Sequence, residues 1–282
     1  MKKVHIVTDS TTDLHKADIE KYGIHIVPLT LQIDNETYID GVDIAPDEFL
    51  DKMASAIELP KSSQPAVGIF SELYDHLGQD GSAVISIHMT GGMSGTVKSA
   101  QAAAEMSDTN VTVFDSMYIS HALSFQVLEA AEMAAAGNTV EEIVERLTEI
   151  RKQTTLFVVV DKLDNLVKGG RIGKGRGLIG SLLKIKPIAT LQDGVYTPVA
   201  QVRSHRQVIA YLFKAFTEET AGKIIRGVGI THANGLALAE PLKKLIEETG
   251  ITNVSLTFTT PVISTHTGEG AIGFMYYTDL EK

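Results

Sequence analysis

The sequence predicts an α/β protein whose first part is built around a parallel sheet and whose second part contains a mixed sheet. Short, almost entirely apolar segments alternate with helix-like segments over the first half of the chain. This pattern is typical of a parallel sheet covered by helices on both faces. In the second half, Asp193-Gly194 separates two strand-like runs within residues 185–203, which indicates an antiparallel hairpin.

The elements of the first half can be placed from the spacing of their apolar residues. Nearly continuous apolar runs indicate buried strands, and apolar residues three or four positions apart indicate helices. We predict strands at residues 4–8, 24–33, 83–88 and 111–115, and helices at residues 46–56, 70–78, 94–106 and 119–137.

The pattern changes after one more amphipathic helix at residues 139–153, where Thr139 and Glu142 fit a capping box. We therefore predict an N-terminal domain at residues 1–152 and a C-terminal domain at residues 153–282. The second domain is expected to contain the hairpin, further strands at residues 154–160, 225–231, 253–259 and 271–277, and helices at residues 204–219 and 236–248.

Composition limits the classes of function. The chain has 282 residues, a net charge of −10 and no cysteine, so disulfides and thiolate metal sites are excluded. The acidic surplus disfavours a nucleic-acid partner, although the segment KGGRIGKGR at residues 168–176 is locally basic. No apolar run reaches the roughly 20 residues of a membrane helix, and the first residues do not resemble a signal peptide. We expect a cytoplasmic protein without stable membrane insertion.

Three hydroxyl-rich loops are expected beyond the carboxyl ends of the strands. They are TDSTTD at residues 8–13, SSQP at residues 62–65 and TGGMSGT at residues 90–96. Ligands of open parallel sheets lie beyond the carboxyl ends of the strands, and Ser94 is expected near the start of a helix, where free amides favour an anionic group. These loops are therefore candidates for a binding site.

Three interpretations of Ser94 are open from the residues alone. A nucleotide-phosphate loop is disfavoured because neither the Walker pattern nor the dinucleotide pattern occurs. A nucleophile elbow requires G-x-S-x-G, which the sequence misses by one position, although His266 and an acid such as Asp9 or Asp115 could complete a triad. In the third interpretation, Ser94 only caps its helix.

The order of the short motifs adds a more specific signal. TDSTTDL, SSQP, MSGT, FDS, KGGRI, KPI and THTGEGAIG follow one another over essentially the whole chain. In this order and spacing, the sequence resembles the DegV family of fatty-acid-binding proteins, the acyl-carrying subunits of bacterial fatty acid kinase. The family often has threonine at the position of Ser62 and serine-rich residues in place of residues 90–92, so acyl-chain selectivity is expected to differ while binding is retained.

The resemblance implies a two-domain DegV-like fold, in which a three-layer α/β/α parallel-sheet domain is followed by a two-layer α/β domain with a mixed sheet. A long-chain fatty acid would occupy a buried tunnel in the first domain, and the second domain would close over its carboxylate. The carboxylate contacts map onto Ser62 and Ser94, while Arg171 and His266 belong to the polar end and would support phosphorylation. The resemblance assigns no catalytic residue, metal or cofactor to this chain.

The same resemblance implies a partner protein. A separate ATP-dependent kinase would phosphorylate the bound fatty acid, and the acyl phosphate would feed phospholipid synthesis. We predict a monomeric carrier that is not an enzyme by itself, with Lys174, Arg176 and Arg203 as candidates for the kinase contact. The alternative function is a serine-dependent esterase or thioesterase with Ser94 as its nucleophile.

Each candidate residue also fits a structural role. Ser62 could begin a turn, Arg171 could be a solvated loop cation and His266 could be packed in the core. Aliphatic positions considered for the tunnel wall are equally typical of a core; they are Ile87, Ile119, Leu123 and Val127.

Overall fold

The computed structural model describes residues 3–179 and 185–280 of the chain. In the first half, strands and helices alternate as predicted. The strands are β1 (Val4–Asp9), β2 (His25–Val27), β3 (Thr30–Ile33), β4 (Glu36–Ile39), β5 (Lys61–Ser63), β6 (Ala83–His88) and β7 (Val111–Asp115), and the helices are α1 (Lys16–Tyr22), α2 (Pro46–Ser55), α3 (Val67–Leu77), α4 (Thr96–Met106), α5 (Ser120–Ala135) and α6 (Val140–Gln153).

The second half adds a larger sheet. Its strands are β8 (Thr154–Val159), β9 (Lys186–Gln192), β10 (Val195–Val202), β11 (Lys223–His232), β12 (Val254–Phe258) and β13 (Ile272–Leu280), and its helices are α7 (Asp164–Lys168), α8 (His205–Glu219), α9 (Leu236–Glu247), α10 (Pro261–Thr267) and a 3-10 segment at Gly173–Leu178. Within the described ranges, none of the helices is both long enough and apolar enough to cross a bilayer.

The two main sheets have the predicted characters. Strands of the first sheet lie in the order β2-β1-β6-β7, and all of its pairings are parallel. The second sheet has the order β10-β9-β8-β13-β11-β12 and is mixed, because β11 and β12 are parallel while the other neighbours are antiparallel. The α/β fold class with a parallel and a mixed sheet is therefore confirmed.

One predicted strand is divided. Residues 24–33 were expected to form a single strand, but β2 ends at Val27 and β3 begins at Thr30 in a different sheet. Pro28 stands between them, and proline cannot donate a hydrogen bond to a strand ladder. The chain turns away at this point, and β3 pairs with β4 and β5 in a small antiparallel sheet that places Ser62 opposite Leu31.

Alternating residues of the parallel sheet face two apolar clusters. Val7 and Val84 pack beneath α3 and α4, whereas Ile6 and Ile85 belong to a cluster that includes Leu123 of α5. Helices thus cover both faces, as the apolar strands predicted.

The cluster around α5 is continuous between the two main sheets, because it also contains Leu156 of β8 and Met275 of β13. The other face of the mixed sheet packs on α8 and α9 through a separate cluster that includes Leu212 and Leu242. The mixed sheet begins at Thr154; the division into domains at residues 1–152 and 153–282 stays a prediction.

His121 of α5 makes stability depend on pH. Its ring packs against Gly229, and its Nε2 lies 3.2 Å from Thr257 Oγ1. Burial, with a smaller contribution from His15, lowers the pKa of His121 to about 3. The pKa of His121 is lower in the folded protein than in the unfolded chain. The contribution of its neutral ring to the free energy of unfolding is therefore fully present above pH 6.5 and is lost as the pH falls. We expect His121 to account for a loss of about 2 kcal/mol of unfolding free energy by pH 5.

Urea unfolding at pH 7.5 and pH 5 tests this expectation. His121→Gln should show a smaller loss of stability between the two pH values than the parent protein. A control variant, His205→Gln, removes an exposed histidine at the start of α8 and should keep the parent's dependence. Equal pH dependence in the parent and His121→Gln would contradict the assignment.

Candidate functional site

The predicted site residues come from distant segments that meet at one cavity. Ser62 lies in β5, Ser94 in the loop before α4, Arg171 in the loop after α7, and His266 in α10. All of them line a cavity of about 50 Å³. The other lining residues are mainly apolar; they are Leu29, Met89, Met93, Ile119, Val158, Leu166, Tyr196, Val262, Ile263 and Thr267. Polar groups at one part of an apolar wall suit an amphipathic ligand.

Ser62 and His266 form a hydrogen-bonded pair. Ser62 Oγ lies 2.8 Å from His266 Nε2. His266 belongs to α10, which begins with Pro261 at its first position and ends before Gly268, whose φ is +77°. Burial, and to a lesser degree the charge of Arg171, lowers the pKa of His266 to about 4. The imidazole is therefore neutral at pH 7.

The first glycine of the KGGRI motif makes room for this histidine. A Cβ on Gly169 would lie 2.3 Å from His266 Nδ1, and Nδ1 has no hydrogen-bond partner among the described residues. The φ of Gly169 is −74°, so the backbone itself would accept another residue. Contact with His266 is thus the reason for glycine at this position.

Gly169→Ala should displace the imidazole of His266 and break its contact with Ser62. Overpacking of a filled site costs about 1–3 kcal/mol, which urea unfolding would measure, and the His266 NMR signals should shift. Gly177→Ala is a matched control, because a Cβ on Gly177 meets no atom within 4 Å. If Gly169→Ala is as stable as the control, with unchanged His266 signals, the packing argument is wrong.

Arg171 brings a positive charge to the cavity. Its Nε donates to Met93 O at 3.0 Å, and its Nη1 donates to Gly169 O at 2.7 Å. The side chain is partly buried, and no carboxylate of the described residues forms an ion pair with it. A guanidinium has five N–H groups, so main-chain contacts orient it and leave other donors for an anion.

Ser94 is not part of a catalytic triad. Its Oγ lies 2.9 Å from Thr96 Oγ1 and accepts from Thr96 N at 3.3 Å, so it supports the first turn of α4. His266 bonds to Ser62 instead of Ser94. Asp9 bonds to His88, and Asp115 accepts from main-chain amides at Gly91 and Met117. The proposed triad partners are therefore used elsewhere.

The TGGMSGT loop also lacks a free phosphate cradle. Amides of residues 91–94 donate within the protein, Gly91 N to Asp115 Oδ2 and the others to the hydroxyl or carbonyl of Thr90. These N–H groups cannot also surround a phosphate without losing their partners. The geometry therefore disfavours a nucleotide at this loop.

The predicted hairpin holds the same loop in place. Asp193 and Gly194 have φ values of +52° and +75°, as a tight turn between β9 and β10 requires. Thr90 Oγ1 donates to Gly194 O at 3.0 Å, and a Cβ on Gly92 would lie 2.6 Å from that oxygen. The glycine-rich loop therefore packs directly against the hairpin between β9 and β10.

Gln64 links the two serine loops. Its Nε2 donates to Ser99 Oγ of α4 at 2.7 Å, and a Cβ on Gly95 would lie 1.9 Å from Gln64 Oε1. The SSQP loop therefore packs directly on the loop that carries Ser94. This contact explains the glutamine and glycine of the two motifs.

Asp9, a buried acid at the end of β1, was recognised from the sequence only as a possible triad member. Asp9 accepts hydrogen bonds from Thr11 N, Thr11 Oγ1, Met89 N and His88. Burial alone would raise the pKa of Asp9, but these bonds outweigh it and hold it below its usual value. Asp9 thereby joins the TDSTTD loop to the end of β6.

Asp40 was not found from the sequence. It accepts from Ser10 Oγ at 2.6 Å and from Val262 N, at the start of α10, at 3.2 Å. Burial raises the pKa of Asp40 to about 7. In the sequence, Asp40 is marked only by the glycine that follows it, but its contacts position the helix that carries His266.

No group of three or more His, Asp or Glu residues in the described ranges is arranged to hold a metal ion.

The chain matches a known protein family over almost its whole length. The model of a family described as "Uncharacterised protein, DegV family" matches residues 3–279. The chain belongs to the DegV family. A DegV domain-containing protein of Listeria innocua is 47% identical over 281 residues, which cover 99% of this chain and 100% of the relative.

Two solved DegV structures have the same fold. One, described as showing fatty acid binding of a DegV family protein from Thermus thermophilus, has a TM-score of 0.93 and 30% identity and covers 98% of this chain and 100% of its own. The other, described as DegV, a fatty acid binding protein from Bacillus subtilis, has a TM-score of 0.91 and 34% identity and covers 99% of this chain and 100% of its own.

The tunnel positions considered for this DegV chain differ in their surroundings. Ile119 lines the cavity described above and also a second cavity of about 20 Å³. Ile87, Leu123 and Val127 are fully buried core residues and line neither cavity. Strands of the mixed sheet contribute to the walls of both cavities, for example through Val158 of β8.

Proposed function

We propose that this protein binds a long-chain fatty acid, with its carboxylate beside Ser62, Ser94 and Arg171 and its chain along the apolar cavity walls. The main observation is a partly buried arginine, without an ion-pair partner among the described residues, that lines a mainly apolar cavity together with two serines. Fatty-acid binding described for solved DegV proteins with 30% and 34% identity supports the proposal.

The chemistry of the site suits both parts of this ligand. Each buried methylene contributes about 0.8 kcal/mol, whereas a buried carboxylate needs hydrogen bonds and charge to replace its hydration. Neutral His266 can donate from Nε2 to Ser62 Oγ, which directs the Ser62 hydroxyl proton towards the carboxylate. Arg171 then supplies the compensating charge.

The finer proposal is that a separate ATP-dependent kinase phosphorylates the bound carboxylate and that the acyl phosphate feeds phospholipid synthesis. Phosphoryl transfer requires clamps on the donor phosphates, and the amides of residues 91–94 are committed to protein acceptors. Arg171 and His266 would stabilise charge at the reacting carboxylate, and the exposed cations Lys174, Arg176 and Arg203 would contact the kinase. A cytoplasmic location and a monomeric state stay predictions.

Mass spectrometry of an organic extract from the purified, denatured protein tests the binding proposal. We expect about one equivalent of a fatty acid with roughly 14 to 18 carbons. A chain of this length is favoured because each buried methylene adds to the free energy of binding. An empty extract, together with no uptake of added palmitate or oleate, would refute the proposal.

The Ser62–His266 hydrogen bond favours one other function, a serine hydrolase with Ser62 as nucleophile in place of Ser94. Two features weigh against it. His266 Nδ1 has no acid to orient it among the described residues, and a pKa near 4 makes the imidazole a weak base at neutral pH. A fluorophosphonate probe should leave Ser62 unmodified in a carrier, whereas labelling that is lost in Ser62→Ala would establish the hydrolase.

A further inference from the structure

The second cavity adjoins the first but has a different character. It shares Ile119, Val158, Ile263 and Thr267 with the first cavity. Its volume is about 20 Å³, which compares with the roughly 10–15 Å³ that one water molecule needs. The second cavity can therefore hold one oxygen-sized group, next to the wall that it shares with the first cavity.

Two buried polar groups on its wall lack partners. His232 and Thr259 both line this cavity, and each is only 4% exposed. Neither His232 Nδ1 nor Thr259 Oγ1 has a hydrogen-bond partner among the described residues. An unsatisfied buried polar group is costly, so both atoms would gain from a polar ligand atom.

We propose that this cavity binds the hydroxyl group of a hydroxylated fatty acid. The inference rests on the proposed function and specifies one class of its ligands, namely acyl chains with an oxygen along the chain. Such a hydroxyl would contact His232 Nδ1 and Thr259 Oγ1 while the carboxylate remains beside Arg171.

A hydroxyl fits these groups better than a charged one does. It can donate to a bare imidazole nitrogen or accept from a protonated one, and it can do either with Thr259. Ser120, which also lines the cavity, donates to the buried carboxyl of Asp13. That acid disfavours a second carboxylate here, so the two ends of the ligand are not interchangeable.

Competition binding with stearate and a positional series of hydroxystearates tests the proposal. A hydroxyl placed against an apolar wall should weaken binding about tenfold or more relative to stearate, because it loses its hydration without gaining a partner. We expect one mid-chain position to avoid this loss and to bind within about threefold of stearate.

Matched threonine variants then locate the effect. Thr259→Val keeps the shape of the side chain and should weaken the favoured isomer about fivefold while leaving stearate binding unchanged. Thr278→Val is the control, since Thr278 Oγ1 is likewise buried without a described partner but Thr278 lines neither cavity. It should leave both affinities unchanged.

The outcomes separate the two levels of the proposal. If stearate itself does not bind, the proposed function fails. If stearate binds but all mid-chain isomers are weakened alike, or if Thr259→Val weakens stearate and the favoured isomer equally, fatty-acid binding stands and the hydroxyl site is refuted.

Discussion

Arg171→Ala is expected to lower acyl-phosphate formation by several hundred-fold while it lowers fatty-acid affinity only about tenfold. Removing one preorganised donor to a developing charge costs roughly 100- to 1,000-fold in rate, and the serine hydroxyls remain to hold the ground-state carboxylate. The measurement is ATP-dependent phosphorylation of bound oleate by a bacterial fatty acid kinase, paired with the Kd for oleate.

Two controls define what the arginine contributes. Arg171→Lys keeps the charge but loses the planar guanidinium, whose separate N–H groups donate to Met93 O and Gly169 O. Its rate of acyl-phosphate formation should therefore lie between those of the parent and Arg171→Ala. Lys174→Ala removes an exposed cation of the same basic segment and tests docking to the kinase alone. Equal losses of rate and affinity in Arg171→Ala would show that Arg171 serves binding only.

The paired substitution Ser62→Ala and Ser94→Ala should weaken fatty-acid binding by about 100-fold or more. A hydrogen bond to a charged group contributes about 1.5–3 kcal/mol, and the two side chains come from separate loops. Isothermal titration with oleate would measure each single variant and the pair. The loss should be mainly in affinity, because neither serine is part of the apolar core.

Ser63→Ala is the matched control for this pair. Ser63 is the neighbouring, exposed residue of β5 and should bind oleate like the parent. Binding of the paired variant within about threefold of the parent, less than a single hydrogen bond to a charged group contributes, would place the carboxylate elsewhere in the cavity.

The sequence predicted the elements that combine length with strong periodicity. The parallel strands, the long helix α5, the hairpin at Asp193-Gly194 and the capping box of α6 all occur in the structure. Each carries a local signal that tertiary contacts reinforce. The polar loops at residues 62–65 and 90–96 were both expected at the carboxyl edge of the parallel sheet; this is wrong for the first, because Ser62 lies in β5 of the small antiparallel sheet.

The elements that were missed depend on long-range contacts. Helix α10 has the sequence PVISTHT, rich in β-branched residues that disfavour isolated helices, and it is stabilised by burial of nearly every residue. Strand β5 is the polar segment KSS, which pairs only because β3 lies beside it. Proximity of Asp40 to the start of α10 could not be predicted for the same reason.

The candidate residues meet at one cavity, but their hydrogen-bond partners were not predicted, and their part in binding stays a prediction. Ser62, Ser94, Arg171 and His266 were named through motif order, and the structure brings them to one cavity. Their pairing differs from the triad considered from sequence, because His266 contacts Ser62. Hydrogen-bond partners of this kind depend on side-chain directions that no spacing rule provides.

The hydrogen bond between Ser62 and His266 joins residues that are 204 positions apart. At about 5–20 residues per second, a ribosome adds the second partner on the order of 10 to 40 s after the first. During this interval a growing chain can complete the parallel sheet, yet it lacks the helix that finishes the polar end of the cavity. If the protein binds a fatty acid as proposed, a complete polar end exists only in chains whose synthesis has passed α10, and a bound fatty acid would mark a protein whose two halves have already come together.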